Sequence, residues 1–169
     1  MADAFQPGGR APAPAPLDLV QDFVNTEIPD WDRDASVEGG TFALARALRA
    51  GLRDLALANT LGQPLERSRE AEIDATLARL PLAVRLVEGA PVLAPDADGA
   101  ERGLTILVAI VAEARLRGVW ERVKACRQET CGWIFYDGSR NRSSSWCSMQ
   151  ICGGREKARA YRRRTAARH

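Results

Sequence analysis

Cys126-Arg127-Gln128-Glu129-Thr130-Cys131-Gly132-Trp133-Ile134-Phe135-Tyr136-Asp137 and, after fifteen residues counted from Cys131, Cys147-Ser148-Met149-Gln150-Ile151-Cys152 hold all four cysteines of a 169-residue chain. Two close pairs separated by a loop meet the needs of a closed tetrahedral metal site. Each pair clamps one side of the ion, and the intervening segment supplies a hairpin. The x4 spacing is looser than the commonest x2 knuckle but within range. With four thiolates spent, no position is left for water, so the pattern reads as one structural Zn2+ on Cys126, Cys131, Cys147 and Cys152. Two disulfides, an iron–sulfur cluster and free thiols are the alternatives. A module of under about 50 residues lacks the core to fold alone, and a metal would supply the staple.

Working outward, Gly132 to Tyr136 reads as a strand and Asp137-Gly138 as a turn. Trp133, Phe135 and Trp146 are expected to pack around the metal, with base stacking as the alternative. The loop Arg140-Asn141-Arg142-Ser143-Ser144-Ser145 is polar and basic, suited to phosphate contacts. Beyond Gly153-Gly154 a helix is predicted from Arg155 to about Ala166. Helical spacing puts Arg155, Arg159, Arg162 and Arg163 on one stripe and Ala158, Tyr161 and Thr165 on a less polar side, expected toward the zinc core. Lys157 adds a further cation. Residues 1–120 carry 12 arginines against 18 acids, net −6, whereas residues 121–169 carry 12 Lys or Arg against four acids, net +8. That step points to a polyanion partner; a merely solvated basic helix is the plainer reading.

Upstream, Pro7 to Pro16 holds four prolines and two glycines and reads as a disordered leader, residues 1–16. Residues 17–121 follow as an α-rich domain. Leu17, Val20, Phe23 and Val24 recur at helical spacing. An acidic loop, Asp30-Trp31-Asp32-Arg33-Asp34, and Gly39-Gly40 precede a helix with Thr41 as its N-cap. The loop is no calcium site, since Ala35 and Thr41 stand where an EF-hand loop needs Gly and a bidentate Glu. A third helix is predicted from about Arg67 to Leu80. Val84 to Glu88 and Pro91 to Ala94 read as a hairpin whose second strand Pro91 confines to an edge. The longest helix is predicted from Ala100 to about Ala125, apolar all round from Leu104 to Val111 and buried there.

The only histidine is His169, so neither a Ser-His-Asp triad nor a Cys-His pair can be built, and an enzyme is not expected. The longest apolar run, Leu104 to Ala112, is about half of a membrane span. Met1-Ala2-Asp3-Ala4 has no basic or apolar signal region, so a cytoplasmic location is expected.

Cys126-x4-Cys131-Gly132-Trp133-Ile134-Phe135-Tyr136-Asp137-x-Ser139-Arg140-Asn141-Arg142, followed by Trp146-Cys147-Ser148-Met149-x-x-Cys152-Gly153-Gly154-Arg155-x-Lys157-Ala158, closely resembles the CGNR zinc-finger family. Asp22-Phe23-Val24-Asn25-Thr26, the Ala/Leu/Arg-rich helices, the hairpin and the long helix resemble the ABATE domain that accompanies that finger. The resemblance implies a bacterial, stress-induced transcription regulator whose finger binds DNA and whose four cysteines hold zinc. The eponymous Asn is Gly154 here, and the basic pair before Trp-Cys is Ser144-Ser145. The expectation is therefore an α+β, mainly α protein: an α-rich domain with a small hairpin, then residues 122–169 as a treble-clef-like or ribbon-like four-cysteine zinc finger. Arg140, Arg142, Arg155, Lys157, Arg159, Arg162 and Arg163 are its expected DNA contacts. The helical domain would sense a small molecule or bind a protein. The rival is a zinc-stabilised module docking an acidic protein, and RNA is a third partner.

Overall fold

Leu17, Val20 and Val24 lie on one side of helix α1 (Leu17–Asn25) and are all buried, which sets that helix against the rest of the core. The computed structural model describes residues 6–26 and 40–166. The acidic loop Asp30 to Asp34, Gly39 and His169 lie outside the described residues. The elements that follow are α2 (Gly40–Leu61), α3 (Arg67–Leu77), β1 (Leu82–Val87), β2 (Ala90–Pro95), α4 (Gly99–Leu116), a 3-10 turn (Trp120–Arg122), β3 (Val123–Ala125), β4 (Ile134–Tyr136), a π-helical turn (Met149–Gly153) and α5 (Gly154–Ala166). The protein is α+β and mainly helical, with two small antiparallel strand pairs, β1–β2 and β3–β4. No helix among the described residues is long and apolar enough to cross a membrane.

Leu44, Leu48, Leu52 and Ala56 of α2 follow a helical repeat and meet Leu104, Val111 and Ala114 of α4 in one core with the buried face of α1. Trp120, Val123, Ala125 and Ile134 belong to that same core. The helical part and the first strand pair of the cysteine segment are thus packed as one body.

Several boundaries differ from expectation for visible reasons. Helix α2 begins at Gly40, so Thr41 lies inside it rather than capping it. Helix α3 ends at Leu77, because the chain tightens through Arg79 N–H to Thr76 O and Leu80 N–H to Leu77 O, which tucks Leu80 into the core. Helix α4 stops at Leu116 and does not run into Cys126. Gly118, at φ +66°, turns the chain, and Val119 N–H reaches back to Ala114 O at 2.9 Å, which closes a Schellman-type cap. The expected all-round burial of α4 is one-sided, since Ile106 is 39% exposed.

Of the expected disordered leader, residues 6–16 are packed against the body: a short 3-10 turn, Pro7–Gly9, leads into an extended run, and Pro7 and Ala13 are buried. The buried Gln21 of α1 takes the place of a strand partner, accepting from Ala13 N–H at 2.8 Å and donating to Gln6 Oε1 at 2.6 Å.

Candidate metal centre and basic helix

Strands β3 and β4 explain how one short segment serves two cores. Side chains alternate along a strand, so Val123, Ala125 and Ile134 turn into the helical core while Phe135 turns toward the cysteines. Helices α1 and α2 grip the helical side of this pair by its backbone. Asn25 accepts from Ile134 N–H and donates to Ile134 O, both at 2.9 Å, in the manner of a neighbouring strand. Arg53 donates to Gly132 O at 2.9 Å and Thr60 to Ala125 O at 2.7 Å.

On the other side, Cys126, Cys147 and Cys152 are buried, Cys131 is half-buried, and their sulfurs all lie within 4.8 Å of one another. Cys126 and Cys131 flank the turn that joins β3 to β4. Cys147 precedes the π-helical turn, and Cys152 lies within it, directly before α5. The last ligand therefore stands on a helical turn, the arrangement of a treble clef rather than of a ribbon made from two hairpins. Phe135, Trp133 and Trp146 pack around the four sulfurs as expected.

The donor set fits zinc. A tetrahedron with Zn–S bonds of about 2.3 Å has edges of about 3.8 Å. The Cys131–Cys147 and Cys147–Cys152 sulfurs are 3.7 and 3.6 Å apart. A disulfide needs about 2.05 Å, and all four cysteines are free. Electrostatics agrees with the geometry. Cys126 accepts hydrogen bonds from the Cys131 and Cys147 thiols, which holds its pKa well below the ordinary thiol range. The same bonds raise Cys131 and Cys147, while burial and then the neighbouring sulfurs push Cys152 up to about 12. Four thiolates so close together need a dication between them, and one zinc ion supplies it.

Two supports of this centre lie outside the expected site residues. Asp137, expected as a turn residue, is fully buried and its carboxylate collects five donors. They are Lys124 Nζ at 2.9 Å, Ser139 N–H at 3.1 Å, Ser139 Oγ at 2.6 Å, Ser144 N–H at 2.9 Å and Ser144 Oγ at 3.0 Å. Burial pushes this carboxyl up, but the Ser139 and Lys124 hydrogen bonds outweigh it and the net shift is downward. Lys124, also buried, binds the carbonyls of Arg142 and Ser144, closing the loop that carries Arg140 and Arg142. Ser144 is thus a structural partner of Asp137.

The second support is Arg10. Its guanidinium lies 4.5 Å from the Phe135 ring centre and donates to Cys147 O at 2.8 Å and Trp146 O at 2.9 Å. Gly8 beside it passes so close to the second cysteine pair that a Cβ there would lie 2.8 Å from Ser148 Oγ. Replacing Arg10 by Ala removes two charged hydrogen bonds and a cation–π contact. Zinc transfer to a colorimetric chelator is expected to accelerate about tenfold, since one such bond alone is worth ~1.5 kcal/mol or more. An unchanged rate would leave Arg10 without a role in holding the metal.

Helix α5 buries none of its residues. Tyr161 is 65% exposed, so the expected packing of Ala158, Tyr161 and Thr165 on the zinc core does not occur. Arg155, Lys157, Arg159 and Arg162 are exposed with no ion pair among the described residues, whereas Arg163 is held by Glu156 at 2.8 Å. Arg159 and Arg163 line a cleft of about 390 Å³ with Arg127 and Trp146, where Glu129 and Glu156 offset part of the charge. Arg140 and Arg142 are exposed on the separate loop pinned by Asp137. At Gly154 a Cβ would meet nothing nearer than Met149 O at 3.6 Å, so the helix start has room for a side chain.

The chain therefore contains a structural zinc finger with four cysteine ligands, joined to a helical body. Residues 122–165 match the CGNR zinc finger family. No curated protein gives a significant match to the chain.

Proposed function

We propose that the protein is a non-catalytic, DNA-binding transcription regulator of the stress-induced type. Its finger grips duplex phosphates, and its helical ABATE-like domain senses a ligand or mediates assembly. The observation that carries the reading is the state of α5: a helix with no buried side, anchored by a metal ligand in the turn that precedes it, presenting Arg155, Lys157, Arg159 and Arg162 without an ion pair among the described residues. A protein gains nothing in folding from such a helix. Solvated guanidinium groups on a rigid rod suit phosphate oxygens, which set affinity and position on a duplex. Arg140 and Arg142 would extend the contact from the loop. The closed metal site leaves no coordination position for a substrate, which supports a binding role.

The test is fluorescence anisotropy of a labelled mixed-sequence duplex with zinc-loaded protein across a salt series. Wild type is expected to bind with a steep salt dependence. Arg159→Glu with Arg162→Glu removes two phosphate contacts, lowers the slope by about two units and weakens binding at least tenfold. Absence of duplex binding at low salt, with zinc shown to be present, would overturn the reading in favour of an acidic protein partner.

A further inference from the structure

The hairpin β1–β2 presents an anomaly for a protein surface. Val84, Leu86 and Val87 are 69%, 76% and 53% exposed, and β1 pairs with nothing but β2 among the described residues. The hairpin leans on α4 through β2, while the edge of β1 stays open, and an open apolar edge invites another strand.

The hydrogen-bonding phase of the hairpin shows which edge is open. Opposed residues run from Leu82 and Pro95 to Val87 and Ala90, closed by a Glu88-Gly89 turn with φ of +50° and +82°. Asp96 N–H donates to Pro81 O at 2.9 Å. In an antiparallel ladder bonded and non-bonded pairs alternate. The bonded pairs are then Ala83 with Ala94, Arg85 with Val92, and Val87 with Ala90. Leu82, Val84 and Leu86 turn their N–H and C=O groups away from β2. On β2 the outward positions are Pro91, Leu93 and Pro95, and proline has no N–H to give. One edge of the hairpin is therefore blocked and the other is complete.

We infer that this free edge of β1 pairs with β1 of a second copy of the chain, antiparallel across a two-fold axis at Val84, to make a continuous four-stranded sheet. The sequence of the edge is its own complement. With the axis at Val84, Val84 faces Val84 of the second copy, and Leu82 faces its Leu86 in both directions. Every outward-turned residue of β1 then has an outward-turned partner, and each such pair exchanges two hydrogen bonds. The side chains that meet are all apolar, and Arg85 falls opposite Ala83. Moving the axis to Arg85 loses a pair and sets two arginines against each other, an unfavourable cross-strand contact. Moving it to Ala83 also loses a pair. The pairing involves no residue of the finger.

The test uses the full zinc-loaded chain in sedimentation equilibrium with hydrogen exchange on the same samples. A reversible dimer of twice the 18.4 kDa chain mass is expected, with Leu82, Val84 and Leu86 amides slow to exchange when concentrated and fast when diluted. Val84→Lys puts like charges face to face on the axis and is expected to raise the dimer dissociation constant at least tenfold. Val84→Pro deletes an outward N–H without touching the β1–β2 ladder and is expected to do the same. Leu19→Lys, at a 54% exposed leucine of α1, is expected to leave the dimer intact. A chain that stays monomeric at all concentrations would overturn the inference. So would a dimer whose Val84 and Leu86 amides exchange freely, or one indifferent to Val84→Lys.

Discussion

Stripping the metal with a strong chelator is expected to release one zinc ion per chain and to melt the cysteine loops and α5, while α1, α2 and α4 stay folded. The asymmetry follows from how the cores divide. Around the sulfurs the buried apolar groups are Phe135 and the cysteines themselves, with Trp133 and Trp146 partly covered. No residue of α5 is buried, so its hold on the body comes mainly through the metal-bound turn. Val123, Ala125 and Ile134 instead belong to the helical core and are tied by Asn25 and Thr60, so β3 and β4 persist. Structural zinc contributes about 10–16 kcal/mol of apparent binding free energy at neutral pH, far more than any single contact in the finger. Serine at Cys126, Cys131, Cys147 or Cys152 is expected to act like the chelator. Because zinc binds thiolates, protons compete with it, and release is favoured as pH falls. Hydrogen exchange resolves the outcome by segment: amides of 126–131 and 145–166 lose protection, and those of α2 and α4 keep it. Undiminished protection throughout after full zinc loss would show that the thiol cluster holds itself together.

What the sequence disclosed and what it hid follow from the range of the interactions. The cysteine spacing, the aromatic residues between the pairs, the hairpin and the basic stripe are local patterns, and local patterns are legible. The metal site could be assigned because four ligands of one type at short spacing have few other uses. The end of α4 was also written locally, in Arg117-Gly118, but the apolar run beyond it, Val119-Trp120, disguised the stop. Arg10 was out of reach. Its partners are the Trp146 and Cys147 carbonyls, far along the chain, and backbone acceptors leave no trace in side-chain identity. The Pro/Ala-rich composition around it suits a solvated leader equally well, since the contacts of one half-buried arginine outweigh the composition of ten residues. Asp137-Gly138 hides its role for a related reason. The pair does sit at a turn, but the two serines and the lysine that bury Asp137 are common surface residues whose convergence only the fold creates.

Removing the Asp137 carboxylate is expected to cost the protein about 3–5 kcal/mol, the usual penalty for leaving one member of a buried ion pair without its partner. Asp137→Ala strands Lys124 Nζ, which is 5% exposed, together with two backbone N–H groups and two hydroxyls. Asp137→Asn keeps the shape but turns an amide donor toward donors, so it is expected to recover little. Lys124→Met is expected to cost less than Asp137→Ala, because the carboxylate retains Ser139 and Ser144. The pH dependence has a definite sign. A carboxyl whose folded pKa is lowered contributes stability that is fully present above its unfolded value, about 3.9, and is lost as pH falls through the folded value. Between pH 8 and about 4 the Asp137 pair is therefore constant, and acid sensitivity in that window reports the thiolates instead. Denaturant unfolding at fixed free zinc separates the two, since metal linkage then adds equally to each variant. A cost below about 1 kcal/mol for Asp137→Ala would mean that water replaces the carboxylate. The loop bearing Arg140 and Arg142 would then be held by Arg122, which donates to Asp137 O at 2.8 Å and Ser139 O at 3.1 Å, rather than by the buried pair.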